Sequence, residues 1–447
     1  MTLKTIYLII ALVGISLGLI KPLKAQITPE EVKADAITYR HYMAAQWDSL
    51  LVSGNHAIDQ GFDNYYFRVR LGRAYFEKER YAKAIHHFDK ALKFAPADAF
   101  ALSYLYYSHL YFGRVNQSRY LSHELNKLTQ ESYYQPPLVK SIYLEGGPSF
   151  LNGKNKAMQT DLDGAENIYG ESDVTGNGYY SHAGMQFNLA PRLGLYVGYS
   201  NLGLYKHHRA MSADTTLYQR RYDVKENDYF ISMPFYLGKN LSIIPAFRHT
   251  HFQTDPVQIS YDFILFQYKF DTLDYAFDDY VYSLETRLEQ DYYTLCLAGA
   301  LINQNGNSFG QLTLSGTLYP FGNLNLYATT SLLQQVGTNS KEQFVFQQTL
   351  GFRPFKKVWL EADLATGTLR DMVFANGFVM YNTGDDIDLR AGLNVILPVS
   401  NHVVVSLRYQ YFNYSDNYYT YENNMINMDD KLVFNKQIII GGLTWLF

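Results

Sequence analysis

His249 and His251 sit two residues apart, a spacing that puts both imidazoles on one face of a strand, where they could hold a divalent metal. Leu241, Ile243 and Phe247 occupy that same face, so the pair continues an apolar row and is read as meeting lipid headgroups, with no metal site. Glu361 and Asp363 lie one strand from Arg390 and two from Arg408. Opposite charges on neighbouring rows make a ladder that packs an interior, narrows a pore or holds a charged group. No environment here lifts one carboxyl to serve as a general acid, so a paired-carboxylate mechanism is not expected. Ser181 and His182 are adjacent, face opposite ways on a strand, and fail as a hydrolase pair. The acidic runs Asp271, Asp274, Asp278, Asp279 and Asp385, Asp386, Asp388 carry calcium-type oxygen ligands but read as solvated loops. Cys296 is the single cysteine, which removes disulfides and thiolate clusters. The expectation is a chain with no catalytic residue, no metal and no cofactor.

The elements that must position these residues change along the chain. From about residue 138 the apolar period is two. Leu193, Leu195, Val197 and Tyr199 oppose Gly194, Tyr196, Gly198 and Ser200; Leu312, Leu314 and Leu318 oppose Gln311, Thr313, Ser315 and Thr317. Val403, Val405, Leu407 and Tyr409 oppose Val404, Ser406, Arg408 and Gln410. Such rows fit a barrel with lipid outside and a polar lumen, or a soluble sandwich with the faces reversed; periodicity is blind to that choice. Strands are expected to begin near Leu138, Asn177, Arg192, Asn227, Asn240, Val257, Gln290, Phe309, Leu324, Gln343, Lys357, Ile387, Asn401 and Lys436. That is about 14, with residues 253–290 leaving about 12 or 16 open, within the range of such barrels. Short turns at Ala190-Pro191-Arg192, Gly238-Lys239-Asn240, Pro320-Phe321-Gly322, Pro354-Phe355-Lys356 and Pro398-Val399-Ser400 alternate with polar excursions at 152–175, 206–226 and 415–435. Short turns at one end and long loops at the other are the asymmetry of a membrane barrel.

Residues 26–137 follow a helical period. Leu71, Gly72, Tyr75, Ala84, Phe88, Ala91 and Pro96 have distinct tasks: Gly72 and Ala84 allow two helices to approach, Tyr75 and Phe88 fill the groove, and Pro96 stops the second helix. Weaker echoes at Leu105 and Ala57, ~34 residues away, predict about three helix pairs with the outer two as caps. The aromatic run Tyr104, Tyr106, Tyr107, Tyr111 and Phe112 lines either a concave face or the core. Gln135-Pro136-Pro137 punctuates the end of the segment. Residues 1–25, with Lys4, the apolar run Ile6 to Ile20 and Leu23-Lys24-Ala25, have the form of an export signal. Removing them with Lys4, Lys21 and Lys24 takes the formal charge from −4 to about −7, which gives no electrostatic reason for a nucleic-acid partner. The 41 Tyr and 28 Phe suit aromatic girdles at two membrane interfaces.

Residues 71 to 96 resemble a tetratricopeptide repeat, except that Arg68 stands at that family's early Trp. The final strand, with Leu443, Trp445 and Phe447, resembles the closing strand and assembly signal of bacterial outer-membrane β-barrels. Signal, repeats and barrel in this order are similar to surface lipoprotein assembly modifiers, to exopolysaccharide exporters and to repeat-plus-barrel proteins of Bacteroidota-type envelopes. The resemblance implies a multidomain fold: an α-helical tetratricopeptide-like repeat domain followed by an antiparallel transmembrane β-barrel. It implies a signal peptide over 1–25, a periplasmic repeat domain over 26–137 and an outer-membrane barrel over 138–447. Implied partners are outer-membrane lipid, the outer-membrane assembly machinery, and a periplasmic client or partner subunit on the repeats. The implied role is recruitment of that client for export or assembly across the outer membrane. A non-transporting scaffold and an exopolysaccharide porin are the alternatives.

Overall fold

The computed structural model describes residues 28–130, 136–152, 169–212, 215–238, 240–304, 306–337, 343–382, 385–417, 419–422, 425–427 and 431–447. The expected signal segment, Gln135, Lys239 and most of the 152–175 excursion lie outside the described residues. Six helices come first: α1 (Pro29–Met43), α2 (Trp47–Asp59), α3 (Tyr65–Glu77), α4 (Tyr81–Phe94), α5 (Ala99–Tyr111) and α6 (Val115–Thr129). Thr28, Asn64 and Asp98 cap α1, α3 and α5 by accepting from free backbone amides of the first turn. The α3–α4 pair is the tightest: Leu71, Ala84, Phe88 and Ala91 are all 0 % exposed and Tyr75 is buried. A Cβ on Gly72 would lie 2.8 Å from the Phe88 ring, which is why that position is glycine. Pro96 follows the end of α4, where its missing amide costs no helical bond.

A closed barrel of 14 antiparallel strands follows. Its first half is β1 (Val139–Asn152), β2 (Tyr169–Ala190), β3 (Leu193–Ser212), β4 (Thr215–Ser232, continued beyond Pro234 by Phe235–Gly238), β5 (Leu241–Thr254), β6 (Tyr275–Glu289) and β7 (Tyr293–Gln304). Its second half is β8 (Asn307–Leu318), β9 (Leu326–Val336), β10 (Phe344–Phe355), β11 (Val358–Gly367), β12 (Asp386–Pro398), β13 (Val403–Asn417) and β14 (Lys431–Leu446). β1 pairs with both β2 and β14, Ile142 standing opposite Trp445 and Leu144 opposite Leu443, so no edge is left open.

The boundaries differ from the sequence reading in several places, among them the start of β2 at Tyr169 and of β14 at Lys431. Val257 opens a separate hairpin, Val257–Asp262 with Gln267–Thr272, and the wall strand resumes at Tyr275 opposite Thr254. The 206–226 excursion is no loop: β3 and β4 stay paired through it, with Arg209 opposite Gln219. Beyond the lipid both faces meet water, so the ladder continues while the apolar alternation that betrays it disappears.

The faces decide the medium. Leu295, Leu297, Leu312, Leu314, Leu364, Leu393 and Leu407 point outward and are between 43 and 55 % exposed. Gln311, Thr313, Ser315, Glu361 and Asp363 line the interior. A continuous belt of leucine around a polar lumen is stable in hydrocarbon; in water it would be an apolar patch far larger than monomers tolerate.

Candidate functional site

The lumen is the candidate site, and parts of the chain obstruct it at both ends. Between β11 and β12 the chain turns inward: Val373–Phe374 pairs with Val379–Met380 around a turn at Ala375, Asn376 and Gly377. All three turn residues have positive φ (50°, 55° and 95°), a conformation that Ala adopts only where surrounding contacts impose it. Those contacts come from around the wall. Gln311 on β8 exchanges two bonds with the backbone of Val373, at 2.6 and 2.8 Å. Asn376 Nδ2 donates to the Ile244 carbonyl on β5 (3.0 Å), and Ser283 Oγ on β6 donates to the Asn376 carbonyl (2.8 Å). Phe378 packs edge-on to His182 of β2 and Phe230 of β4, with ring centroids 5.0 and 5.2 Å apart. Arg390 on β12 reaches the Tyr381 hydroxyl at 2.8 Å. A segment held by six different strands spans the bore.

Arg248 on β5 is its strongest tether. It is 4 % exposed and donates to the Phe378 carbonyl at 2.7 Å, to Glu226 Oε1 at 3.0 Å and to Asp228 Oδ1 at 2.7 Å. One cation thus bridges two buried acidic side chains and fixes the inserted turn.

At the short-turn end the helices cover the mouth. Ala82 N donates to the Gly322 carbonyl (2.9 Å) and Asn323 Nδ2 to the Glu79 carbonyl (2.8 Å); Arg353 pairs with Glu79. Asn116 Nδ2 donates to Ser242 Oγ at 3.1 Å, Gln117 to Glu289, and Arg114 to the Gln290 carbonyl. Phe112, expected in the concave face or the core, packs edge-on to Tyr319 at the barrel rim. Its companion Tyr104 lies within the helical array against Phe76, Phe88 and Arg73, while Tyr111 is 53 % exposed.

Between the two closures the lumen stays hollow. A cavity of about 610 Å³ runs beside the inserted segment. A second of about 520 Å³ lies between the segment's tip (Asn376 and Phe378) and Gly113 and Asn116 at the start of α6. The wall charges are mostly spent on one another. Arg390 meets Asp363 at 2.9 Å, as the strand order anticipates. Arg408 goes elsewhere, to Glu145 on β1 at 3.0 Å, and Glu361 instead accepts from the Tyr327 hydroxyl and from Asn394 Nδ2 (2.9 Å). The four expected lumen charges therefore fall into three separate sets of contacts, and only Arg390 and Asp363 meet each other.

The remaining candidates resolve as follows. His249 and His251 face outward and both reach the same oxygen of Asp278, at 2.8 and 2.9 Å, and no group of three or more metal-type ligands occurs among the described residues. Asp385, read as solvated, is 0 % exposed and pairs with Lys206 at 3.0 Å. Asp279, likewise read as part of a solvated loop, is 1 % exposed. Ser181 and His182 do diverge, but His182 Nδ1 finds Ser200 Oγ across the strand at 2.9 Å, with Tyr196 hydroxyl on Nε2 at 2.7 Å. A tyrosine there, in place of a carboxylate, leaves the ring without the partner that orients a catalytic base. Sequence reasoning missed the inserted segment and Arg248. The available signal was the apolar cluster Met372, Val373, Phe374, Phe378, Val379 and Met380, in the stretch between the strands expected from Lys357 and Ile387.

Residues 66–98 match the family model of the tetratricopeptide repeat. Among solved structures the chain is similar to the Pseudomonas putida toluene transporter TodX, at 8 % identity over 70 % of this chain and 91 % of that one, with a TM-score of 0.47. It is similar to a Pseudomonas aeruginosa FadL homologue, at 8 % identity over 69 % and 90 % of the two chains, TM-score 0.43. The helical part is similar to the Arabidopsis OM64 TPR domain, at 14 % identity over 23 % of this chain and 84 % of that one, TM-score 0.21. No curated protein sequence matches the chain.

Proposed function

We propose that this tetratricopeptide-repeat protein with an outer-membrane-type barrel is a gated conduit, shut at rest, which a periplasmic protein partner opens by engaging the repeats. One observation carries the reading: the bore is obstructed at two levels, by the segment at 369–381 and by the docked helices, yet hollows with both polar and apolar walls remain beside and beneath that segment. A barrel needed only for anchoring gains nothing from such hollows, whereas a conduit needs both the space and the stoppers. Docking of the helices on the short turns supports a periplasmic address for residues 26–137, because barrels of this class keep short turns on that side. Partner recruitment is supported by the repeat surface away from the barrel. Tyr39 and Tyr66 are 52 and 61 % exposed there and flank Arg70, whose guanidinium lies 5.3 and 5.7 Å from their ring centres.

The test is conductance in planar bilayers. Asp371 N donates to the Tyr381 carbonyl at 2.7 Å, so a short glycine link can replace residues 372–380 without moving either wall strand. The parent protein is expected to be silent and the shortened one to conduct. If the shortened barrel folds normally and stays silent, the second reading takes over. That reading is a non-transporting scaffold of an envelope assembly complex, favoured by the same double closure, and it expects stable co-purification with other envelope proteins.

A further inference from the structure

We infer that the larger hollow beside the inserted segment binds an organic monoanion, a carboxylate carried on an apolar body, with Lys436 as its counter-charge. The inference deepens the conduit reading by naming an occupant, and rests on it in taking the lumen to be open to solutes. It starts from a cation that nothing in the fold neutralises. Lys436 on β14 is 2 % exposed, lines this cavity, and makes no ion pair or hydrogen bond among the described residues. Its Nζ is not one of the sealed polar atoms that lack a partner, so the ammonium opens on the hollow. The carboxylate that acts on it, Asp385, is already held by Lys206 at 3.0 Å and by the Thr175 hydroxyl. Two ammonium groups therefore share one acid, and the site is one negative charge short.

The surroundings define the rest of the occupant. Ile438 and Ile440 follow Lys436 along the inward row, and its cross-strand neighbours are Leu151 of β1 and Phe412 of β13. From Phe412 a chain of rings enters the inserted segment, to Tyr381 and then Phe374, with centroids 5.7 and 5.4 Å apart. A bare inorganic anion would meet the charge but leave this apolar wall facing water. A hydrocarbon would cover the wall but leave the charge unmet. One cation matches one carboxylate, whereas a phosphate monoester would bring a further negative charge with no partner. The other cations of the lining, Arg248, Arg390 and Arg408, are engaged by wall carboxylates, so the anion's place is at the Lys436 end. The volume of about 610 Å³ falls within the range of small-ligand sites.

Equilibrium dialysis of the full chain in lipid nanodiscs tests this, with radiolabelled octanoate and 1-naphthoate as probes and empty nanodiscs as the background. The two probes distinguish an alkyl from an aryl body. Octanamide and 1-naphthamide keep the body without the charge, acetate keeps the charge without the body, and all three serve as competitors. The expected result is saturable uptake of at least one carboxylate, displaced by no competitor at matched concentration. That uptake is weakened about tenfold or more in Lys436→Met and retained in Lys436→Arg. A second readout needs no variant: the bound carboxylate, but not its amide, shields Lys436 of the parent protein from reductive methylation, followed by mass spectrometry. Arg248→Met, which loosens the inserted segment, is dialysed in parallel so that a sealed site is not mistaken for an absent one. No saturable uptake in either protein overturns the inference, as does uptake indifferent to Lys436→Met or displaced equally by an amide or by acetate. Should Lys436→Met fail to fold, methylation of Lys436 unchanged by the carboxylate overturns it. Dialysis needs no current, so a barrel that binds without conducting, or conducts without binding, separates this inference from the conduit reading.

Discussion

Replacing Arg248 by Met isolates the tether that should decide whether the lumen stays shut. The substitution keeps most of the aliphatic bulk but removes a charged donor 2.7 Å from the Phe378 carbonyl. A hydrogen bond from a charged group contributes about 1.5–3 kcal/mol, so the withdrawn state of the segment should become roughly 10- to 100-fold more populated. The segment would not fall out altogether. Two bonds to Gln311 and those of Asn376 to Ile244 and of Ser283 to Asn376 remain, each contributing about 1 kcal/mol. The expected record is therefore one of brief openings, more frequent than in the parent by that factor and of the same amplitude as the conductance of the barrel lacking residues 372–380. Removing the cation also strands Glu226 and Asp228, at a cost of about 3–5 kcal/mol. The triple change Arg248→Met, Glu226→Gln, Asp228→Asn removes that burden and should flicker in the same way. Openings in the shortened barrel but none in either Arg248 variant would refute the assignment of Arg248 as the tether.

Other consequences reach each part of the molecule. Phe88→Ala should cost the repeats about 3–5 kcal/mol, seen as early loss of helical circular dichroism while the barrel signal persists. On the wall, Leu314→Arg should hinder insertion into vesicles by about 2–4 kcal/mol, while Ser315→Arg one residue on should not; a soluble sandwich would reverse the two. The repeats should also be acid-sensitive. Burial and the nearby Arg68 hold His87 down to about 3, and burial with Arg114 does the same for His109, against 6.5 when unfolded. Both stay neutral in the fold, so stability is complete above pH 6.5. It falls by about 1.4 kcal/mol per histidine for each pH unit toward 3, as the unfolded chain takes up the protons. Urea unfolding of the helical signal at pH 7.5 and 5 measures this, and His87→Gln should flatten the difference.

The barrel was legible because lipid and lumen impose opposite chemistry on successive residues, and the rows through Leu312 and Val403 carry that signature undiluted. It failed where another rule could produce the same pattern. Val257 to Tyr261 alternates like a wall strand, and only the pairing of Thr254 with Tyr275 shows that the wall skips the hairpin. Ser118 and Ser122, ~34 residues beyond Ala84 and Phe88, replace the small and aromatic residues of the repeat pattern. Their hydroxyls donate to the carbonyls of Val115 and Arg119 within α6, and both side chains are buried on a helix that packs against the barrel mouth in place of a fourth helix pair. The strand order puts Arg408 in one ladder with Glu361, Asp363 and Arg390, whereas its ion pair is with Glu145. Its strand neighbours are fixed by order, whereas Glu145 lies beyond β14, across the closure that joins the last strand to the first.

That closure has a directional consequence. The base of the inserted segment, where Asp371 meets Tyr381, belongs to the end with the long hairpins, and its tip points toward the helices. The smaller hollow has α6 for one boundary and the tip for the other, Asn116 and Phe378 both facing it. A solute arriving from outside would meet the segment's base, packed among Met372, Val373, Ile387 and Phe412, which are all nearly or wholly buried. One admitted by displacement of α6 would meet first the strained turn at Ala375 to Gly377, where the backbone is already held against its preference. The two stoppers do not need to touch in order to be coupled, because lifting the helical one uncovers the turn that Arg248, Ser283 and the Ile244 carbonyl hold in place.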